Sequence, residues 1–130
     1  MGKYEEFLGK NYTGRIRNML GADDNLLPDS IIDADINIGG MKTIIAPVVE
    51  KLTLLGKIKD EKSYKHLQEA AIYILAGILC IAMKSRTSTP PYDAPEYKRN
   101  WDKKREKFMR YGNEKLRWMM QMGYSLIHKQ

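Results

Sequence analysis

Residues 70–83 read AAIYILAGILCIAM, fourteen consecutive positions with no charge and no proline. No other stretch restricts the possible folds as strongly. As a helix it spans about 21 Å, short of the roughly 30 Å that a bilayer core demands. Lys65, His66 and Glu69 flank it on one side, Lys84 and Arg86 on the other. The segment therefore reads as the central helix of a globular domain. Apolar residues lie nearly all round it, so it needs cover on every side. A domain this small has little with which to supply that cover, and the sequence predicts that neighbouring subunits complete it.

The chain has 130 residues, the size of one ordinary domain. Its 43% apolar and 29% charged content is that of a water-soluble globular protein. A single cysteine, Cys80, excludes an internal disulfide framework and fits a reducing compartment. The first residues, MGKYEEFLGKNY, lack the apolar stretch of a secretory signal. Gly2 is not followed by the Ser or Thr of a myristoylation signal. Asn11-Tyr12-Thr13 matches a glycosylation sequon, but with no export route the match is read as chance.

The predicted fold class is all-α, a small helical bundle with a long C-terminal helix and a Pro-rich loop before it. A short turn around residues 4–8 ends at Gly9. A second helix, 14–20, starts from a Thr13 cap and closes at Gly21. Pro28 and Asp29 open a new segment, with Asp29 or Ser30 as cap. Residues 31–38 fit either strand or helix, and Gly39-Gly40 interrupts them. Helical spacing resumes from Met41 to Leu55, with a kink expected at Pro47. Asp60 or Ser63 caps the central helix, which runs to about Lys84. The three prolines of residues 85–96, SRTSTPPYDAPE, mark a loop, either a stiff spacer or a contact segment. The last helix begins near Tyr97. It carries an apolar stripe of Trp101, Phe108, Leu116, Met119, Met120 and Ile127. Gly112 and Gly123 lie near that stripe, to admit a close neighbour or to break the helix. The division is a core over residues 1–97 and a basic helical arm over 98–130, within one structural domain.

Charge is distributed unevenly. Residues 98–130 hold ten Lys or Arg against three acids, while the other 97 residues hold 12 against 13. The whole net charge of +6 thus belongs to the last helix. Lys98, Arg99, Lys103, Lys104, Arg105, Lys107 and Arg110, interleaved with Trp101 and Trp118, are the candidate contacts to an acidic protein or to nucleic acid phosphates. The plain alternative is a solvated basic face with the aromatics turned inward. No helix-turn-helix or zinc-finger pattern is present, so any DNA contact is expected to be sequence-neutral.

Catalytic signatures are missing from the sequence. His66, His128 and Cys80 share no ligand spacing, which argues against a metal site, and no cofactor is expected. Cys80 lies inside the apolar run and reads as a buried small hydrophobe. Lys42-Thr43 after Gly39-Gly40 does not match a phosphate loop. The acids Asp23, Asp24, Asp33 and Asp35 read as caps and solvating groups, or as an acidic face that meets the basic helix of a second subunit. The reading is of a protein that is not an enzyme.

Element order supports one resemblance. Leu27-Pro28-Asp29 starts a helix, Asp35-Ile36-Asn37-Ile38 leads into a kinked one, HLQEAAIYILAGILC follows, and YKRNWDKKREKFMRYGNEKLRWM comes after the proline loop. This pattern, roughly residues 27–120, resembles the head–tail connector proteins of tailed bacteriophages, also called adaptors or head-completion proteins. It rests on element order and apolar pattern, with no invariant chemical motif behind it. The resemblance implies a ring, commonly of twelve subunits, in the virion neck beneath the portal protein, extending the DNA channel. It implies that the C-terminal helix grips the portal. It also implies that Pro90, Pro91 and Tyr92 meet a stopper or tail-completion protein. No membrane is involved in that reading. The final helix is more basic than the common pattern, which leaves portal docking and DNA contact both open. The alternative function is a small sequence-neutral nucleic-acid-binding protein.

Overall fold

The computed structural model describes residues 4–22, 26–58, 60–86 and 95–129, except the side chains of residues 38, 39, 86 and 120–129. Among the described residues there are helices and turns but no strand, so the chain is all-α. The order is α1 (Glu5–Leu8), α2 (Tyr12–Leu20), α3 (Asp29–Ile36), a π-helical segment (Asn37–Ile45), α4 (Ala46–Leu54), α5 (Glu61–Arg86) and α6 (Pro95–Lys129).

Local chemistry explains most boundaries. At the end of α2, Gly21 takes φ 70°; its N–H bonds Asn18 O and that of Ala22 bonds Arg17 O. Gly56, at φ 68°, closes α4 in the same way, with Gly56 N–H on Thr53 O and Lys57 N–H on Leu52 O. Both are the paired closing bonds that a left-handed residue permits. Asp60 caps α5 reciprocally: its Oδ1 accepts Ser63 N–H at 2.8 Å, and Ser63 Oγ accepts Asp60 N–H at 3.1 Å. Pro95 occupies the first position of α6, where no amide hydrogen is needed.

Several expected boundaries move. α2 begins at Tyr12 after a left-handed Asn11, and Thr13 is a buried residue of its first turn instead of the cap. Asp29 is the first helical residue of α3, and neither it nor Ser30 is the cap. The strand alternative for 31–38 is wrong. That stretch is helical and continues through a nine-residue π segment into α4, so the irregularity lies before Pro47. A helix that widens to five-residue bonds over Gly39-Gly40 shows neither the period of an α-helix nor that of a strand. Gly40 lies close against α5: a Cβ there would meet Leu75 Cδ2 at 2.5 Å and Ile78 Cδ1 at 2.9 Å, so those side chains would have to shift. Of the loop expected over 85–96, Ser85, Arg86, Pro95 and Glu96 belong to helices, and residues 87–94 lie outside the described residues.

Helices α5 and α6 run antiparallel and share the largest interface in the molecule. Their register is fixed by Lys84–Asp102 (2.9 Å), by Gly77 beside Met109, by Gly112 beside Ile74, and by Glu69–Lys115 (2.7 Å). Gly112 admits close approach without breaking the helix: a Cβ there would lie 3.0 Å from Ala70 O and 2.6 Å from Ile74 Cγ1. Helices α1, α2, α3 and the π segment also pack on α5. One continuous core unites Leu8, Tyr12, Ile16, Leu20, Ile32 and Ile36 with Leu75, Leu79 and Met83 of α5 and Trp101 and Phe108 of α6.

This arrangement bears on two expectations. Within a single chain the central helix is already largely covered. A 35-residue α6 lies along its length, and among the described residues Ile81 is its one large aliphatic side chain left substantially exposed. The basic segment is not an outlying arm, because buried Trp101, Phe108 and Met119 seat it in the core. The stretch Glu61–Ser85 is long and apolar enough to cross a membrane, but 61% of its most apolar window is buried within the domain.

Candidate functional site: the outer face of α6 and the adjoining aromatic cleft

Seven basic residues, 98–110, cannot share one side of a helix, and packing divides them. Trp101, Arg105, Phe108, Met109, Gly112, Leu116 and Met119 recur at helical spacing on the side facing α5, so that side is committed to the core. Arg99, Lys103, Lys107, Arg110 and Arg117 recur on the opposite side, where all five are exposed. Glu106 and Glu114 are interspersed among them. Lys98 is half-buried, as is Arg105, whose backbone lies on the side facing α5. Lys104 is turned inward: its Nζ donates to Leu20 O at 2.7 Å and lies 4.8 Å from the Trp101 ring centroid. It thus satisfies a carbonyl that the end of α2 leaves open. Gln68 does the same for α1, donating to Phe7 O at 2.8 Å.

The two tryptophans separate. Trp101 is 5% exposed, edge-on to Tyr97, with no hydrogen-bond partner for Nε1 among the described residues. Trp118 is 41% exposed, its ring 4.6 Å from that of His66. With Tyr73, Tyr111, Glu114 and Lys115 these rings line an open cleft of about 550 Å³ between α5 and α6. Tyr73 and Tyr111 meet edge to face at 5.8 Å, and Arg110 lies over the Tyr111 ring at 5.7 Å. The Lys115 ammonium beside Glu69 holds that carboxyl below its usual range. A second, smaller depression lined by Arg15, Asn18, Met19, Glu69, Ile72 and Tyr73 adjoins the cleft through Tyr73.

The acidic residues have largely internal work. Asp33 accepts a hydrogen bond from the buried Tyr12 hydroxyl, which itself accepts Tyr4 N–H at 3.1 Å. Tyr4 Oη donates to Asn37 Oδ1 at 2.5 Å. Burial, and then the Asp33 contact, push the Tyr12 phenol far above its ordinary value. Asp35 is half-buried. Asp29 is held below the normal carboxylate range by the Arg17 guanidinium that bonds it. Asp23, Asp24, Pro90, Pro91 and Tyr92 lie outside the described residues. Burial pushes the Cys80 thiol up to about 12, so at neutral pH it is a thiol and not a thiolate. Among the described residues no group of His, Cys, Asp and Glu is placed to hold a metal ion.

Sequence reasoning named Trp118 but missed its partners His66, Tyr73 and Tyr111. The available signal was the seven-residue step from Tyr111 to Trp118, two turns along one face of α6. No protein-family model, curated protein or solved structure matches the chain.

Proposed function

We propose that this is a docking protein without catalytic activity, and that its task is the one the connector resemblance implies. It sits in the neck of a tailed phage virion as a ring-forming adaptor beneath the portal protein, lines the DNA channel and carries a stopper or tail-completion protein. The observation that carries the reading is the division of α6. Its inner side is spent on the core, which leaves Arg99, Lys103, Lys107 and Arg110 as a rigid positive stripe on the outside. A stripe on a well-packed helix presents charge at fixed positions, which favours specific docking of an acidic surface over diffuse attraction.

The test uses a quadruple variant, Arg99→Glu, Lys103→Glu, Lys107→Glu and Arg110→Glu. Its helical circular dichroism is expected to match the parent, and its complex with purified portal protein, seen by mass photometry, is expected to vanish. A parent that fails to bind portal at micromolar concentration sinks the adaptor reading. A second reading has its own support. Exposed Trp118, and exposed Tyr111 beneath Arg110, suit base stacking with phosphate contact. Oligonucleotide binding that weakens steeply with salt, and persists without any portal interaction, selects that reading instead.

A further inference from the structure

We propose that the aromatic cleft receives the proline segment Pro90-Pro91-Tyr92-Asp93 of a second copy of this chain, so that copies join head to tail. The inference stands apart from the portal reading and assigns the proline segment a different partner.

The cleft has the chemistry of a proline-binding groove. Four rings, His66, Tyr73, Tyr111 and Trp118, line it, and Trp118 and Tyr111 are 41% and 38% exposed. Aromatic-lined grooves favour proline-rich segments, because consecutive prolines have fixed φ and lose little entropy on docking. Dimensions agree. Tyr111 and Trp118 are two turns apart on α6, about 10.5 Å. Four residues in polyproline geometry cover about 9.3 Å. Charge is secondary: residues 87–94, TSTPPYDA, carry one acid and no base, Arg110 lies over the Tyr111 ring, and the cleft is lined by Glu114 and by Lys115, which is paired with Glu69.

The occupant cannot be the chain's own segment. Residues 87–94 are tethered between Arg86, the last residue of α5, and Pro95, the first of α6. The nearest parts of the cleft, Tyr73 and Tyr111, lie 13 and 16 helical residues from those tethers, about 20 and 24 Å. Eight residues fully extended measure about 28 Å in all, so a loop that must go out and return reaches only about 14 Å. Only a neighbouring molecule can deliver the segment. The cleft begins about 20 Å along the α5–α6 pair from the helix ends that tether the segment, so the contact joins two different surfaces. It leaves one of each free, and that repeats into a ring or an open filament.

The experiment uses the full-length protein in sedimentation velocity with two variants: a cleft variant, Tyr111→Ala with Trp118→Ala, and a loop variant, Pro90→Ala with Pro91→Ala and Tyr92→Ala. The parent is expected to associate in a concentration-dependent way. Each variant alone is expected to be monomeric, with association weakened about tenfold or more. Mixed one to one, the variants are expected to form dimers and nothing larger, since the mixture holds one intact cleft per intact loop. A labelled peptide of residues 85–96 is expected to bind the parent, to dissociate its assemblies and to ignore the cleft variant. That measurement decides the matter if the cleft variant misfolds, because it is read on the parent. A parent that stays monomeric at its highest soluble concentration and does not bind the peptide overturns the proposal. So does association that survives both variants, or a cleft that takes a single-stranded oligonucleotide and leaves the peptide unbound.

Discussion

Alanine at Gly112 and alanine at Gly77 make a matched pair with opposite expected results. Both glycines lie inside long helices on the α5–α6 interface, and both substitutions gain about 1 kcal/mol of helix propensity. The new methyl groups meet different neighbours. At 112 the methyl would stand 2.6 Å from Ile74 Cγ1, 3.0 Å from Ala70 O and 3.2 Å from Ile74 N. Two of these atoms are α5 backbone and the third is the stiff branch of an isoleucine, so the helices must separate. Overpacking of this kind costs about 1–3 kcal/mol, and with backbone as the obstacle the upper part of that range applies. The net effect is a loss of about 1–2 kcal/mol. At 77 the methyl meets Met109 Cγ at 2.8 Å and Sδ at 2.9 Å, while the nearest backbone atom, Arg105 O, is at an ordinary 3.5 Å. Methionine turns aside at little cost, so Gly77→Ala is expected to be neutral or slightly stabilising. Urea denaturation followed by circular dichroism reads the difference as a midpoint lower by roughly 0.5–1 M for Gly112→Ala alone. If Gly112→Ala proves as stable as Gly77→Ala, the close approach of α6 to α5 described above is wrong.

Two further expectations concern the polar interior and acid stability. Tyr12→Phe strips Asp33 of a donor and Tyr4 N–H of an acceptor at a fully buried position, and is expected to cost about 1–3 kcal/mol in the same assay. An unchanged midpoint would show that the network contributes nothing. Asp29, Asp60 and Glu69 have folded values held below normal by Arg17, by the Ser63 N–H and by Lys115 respectively. Their contribution is therefore present above the usual carboxylate range of about 4 and is lost as pH falls through the lower folded values. The denaturation midpoint should stay level down to about pH 5 and then drop, and Glu69→Gln should make the drop shallower; a parallel curve for that variant removes Glu69 from the account.

Features held within a few residues of sequence were the readable ones. The glycine closure at 21 and the Asp60 cap are local chemistry and lie where the sequence puts them, whereas the caps expected at Thr13 and at Asp29 or Ser30 and the kink expected at Pro47 do not. The all-α class follows from the long apolar run and from the spacing of Trp101, Phe108 and Met119. Non-local pairings escaped entirely. The Tyr4–Asn37 bond joins residues 33 apart, and the Tyr12–Asp33 bond joins residues 21 apart. Nothing in either neighbourhood announces such pairs. The cover of α5 was only partly legible: the sequence showed an apolar stripe on α6 but not that Trp101, Phe108, Gly112 and Met119 lay it along α5. The candidate site was legible as composition only: the sequence named seven basic residues, and only packing shows that Lys104 is tied to α2 while Arg99, Lys103, Lys107 and Arg110 face outward.

The contrasting environments of the two indoles give the molecule built-in optical reporters. Trp101, sealed in the interior, should emit at short wavelength and resist acrylamide; Trp118, on the rim of the cleft, should emit farther to the red and be readily quenched. Light from a single unlabelled sample thus separates loss of the native state from occupation of the surface, two events that a helix-content signal cannot tell apart.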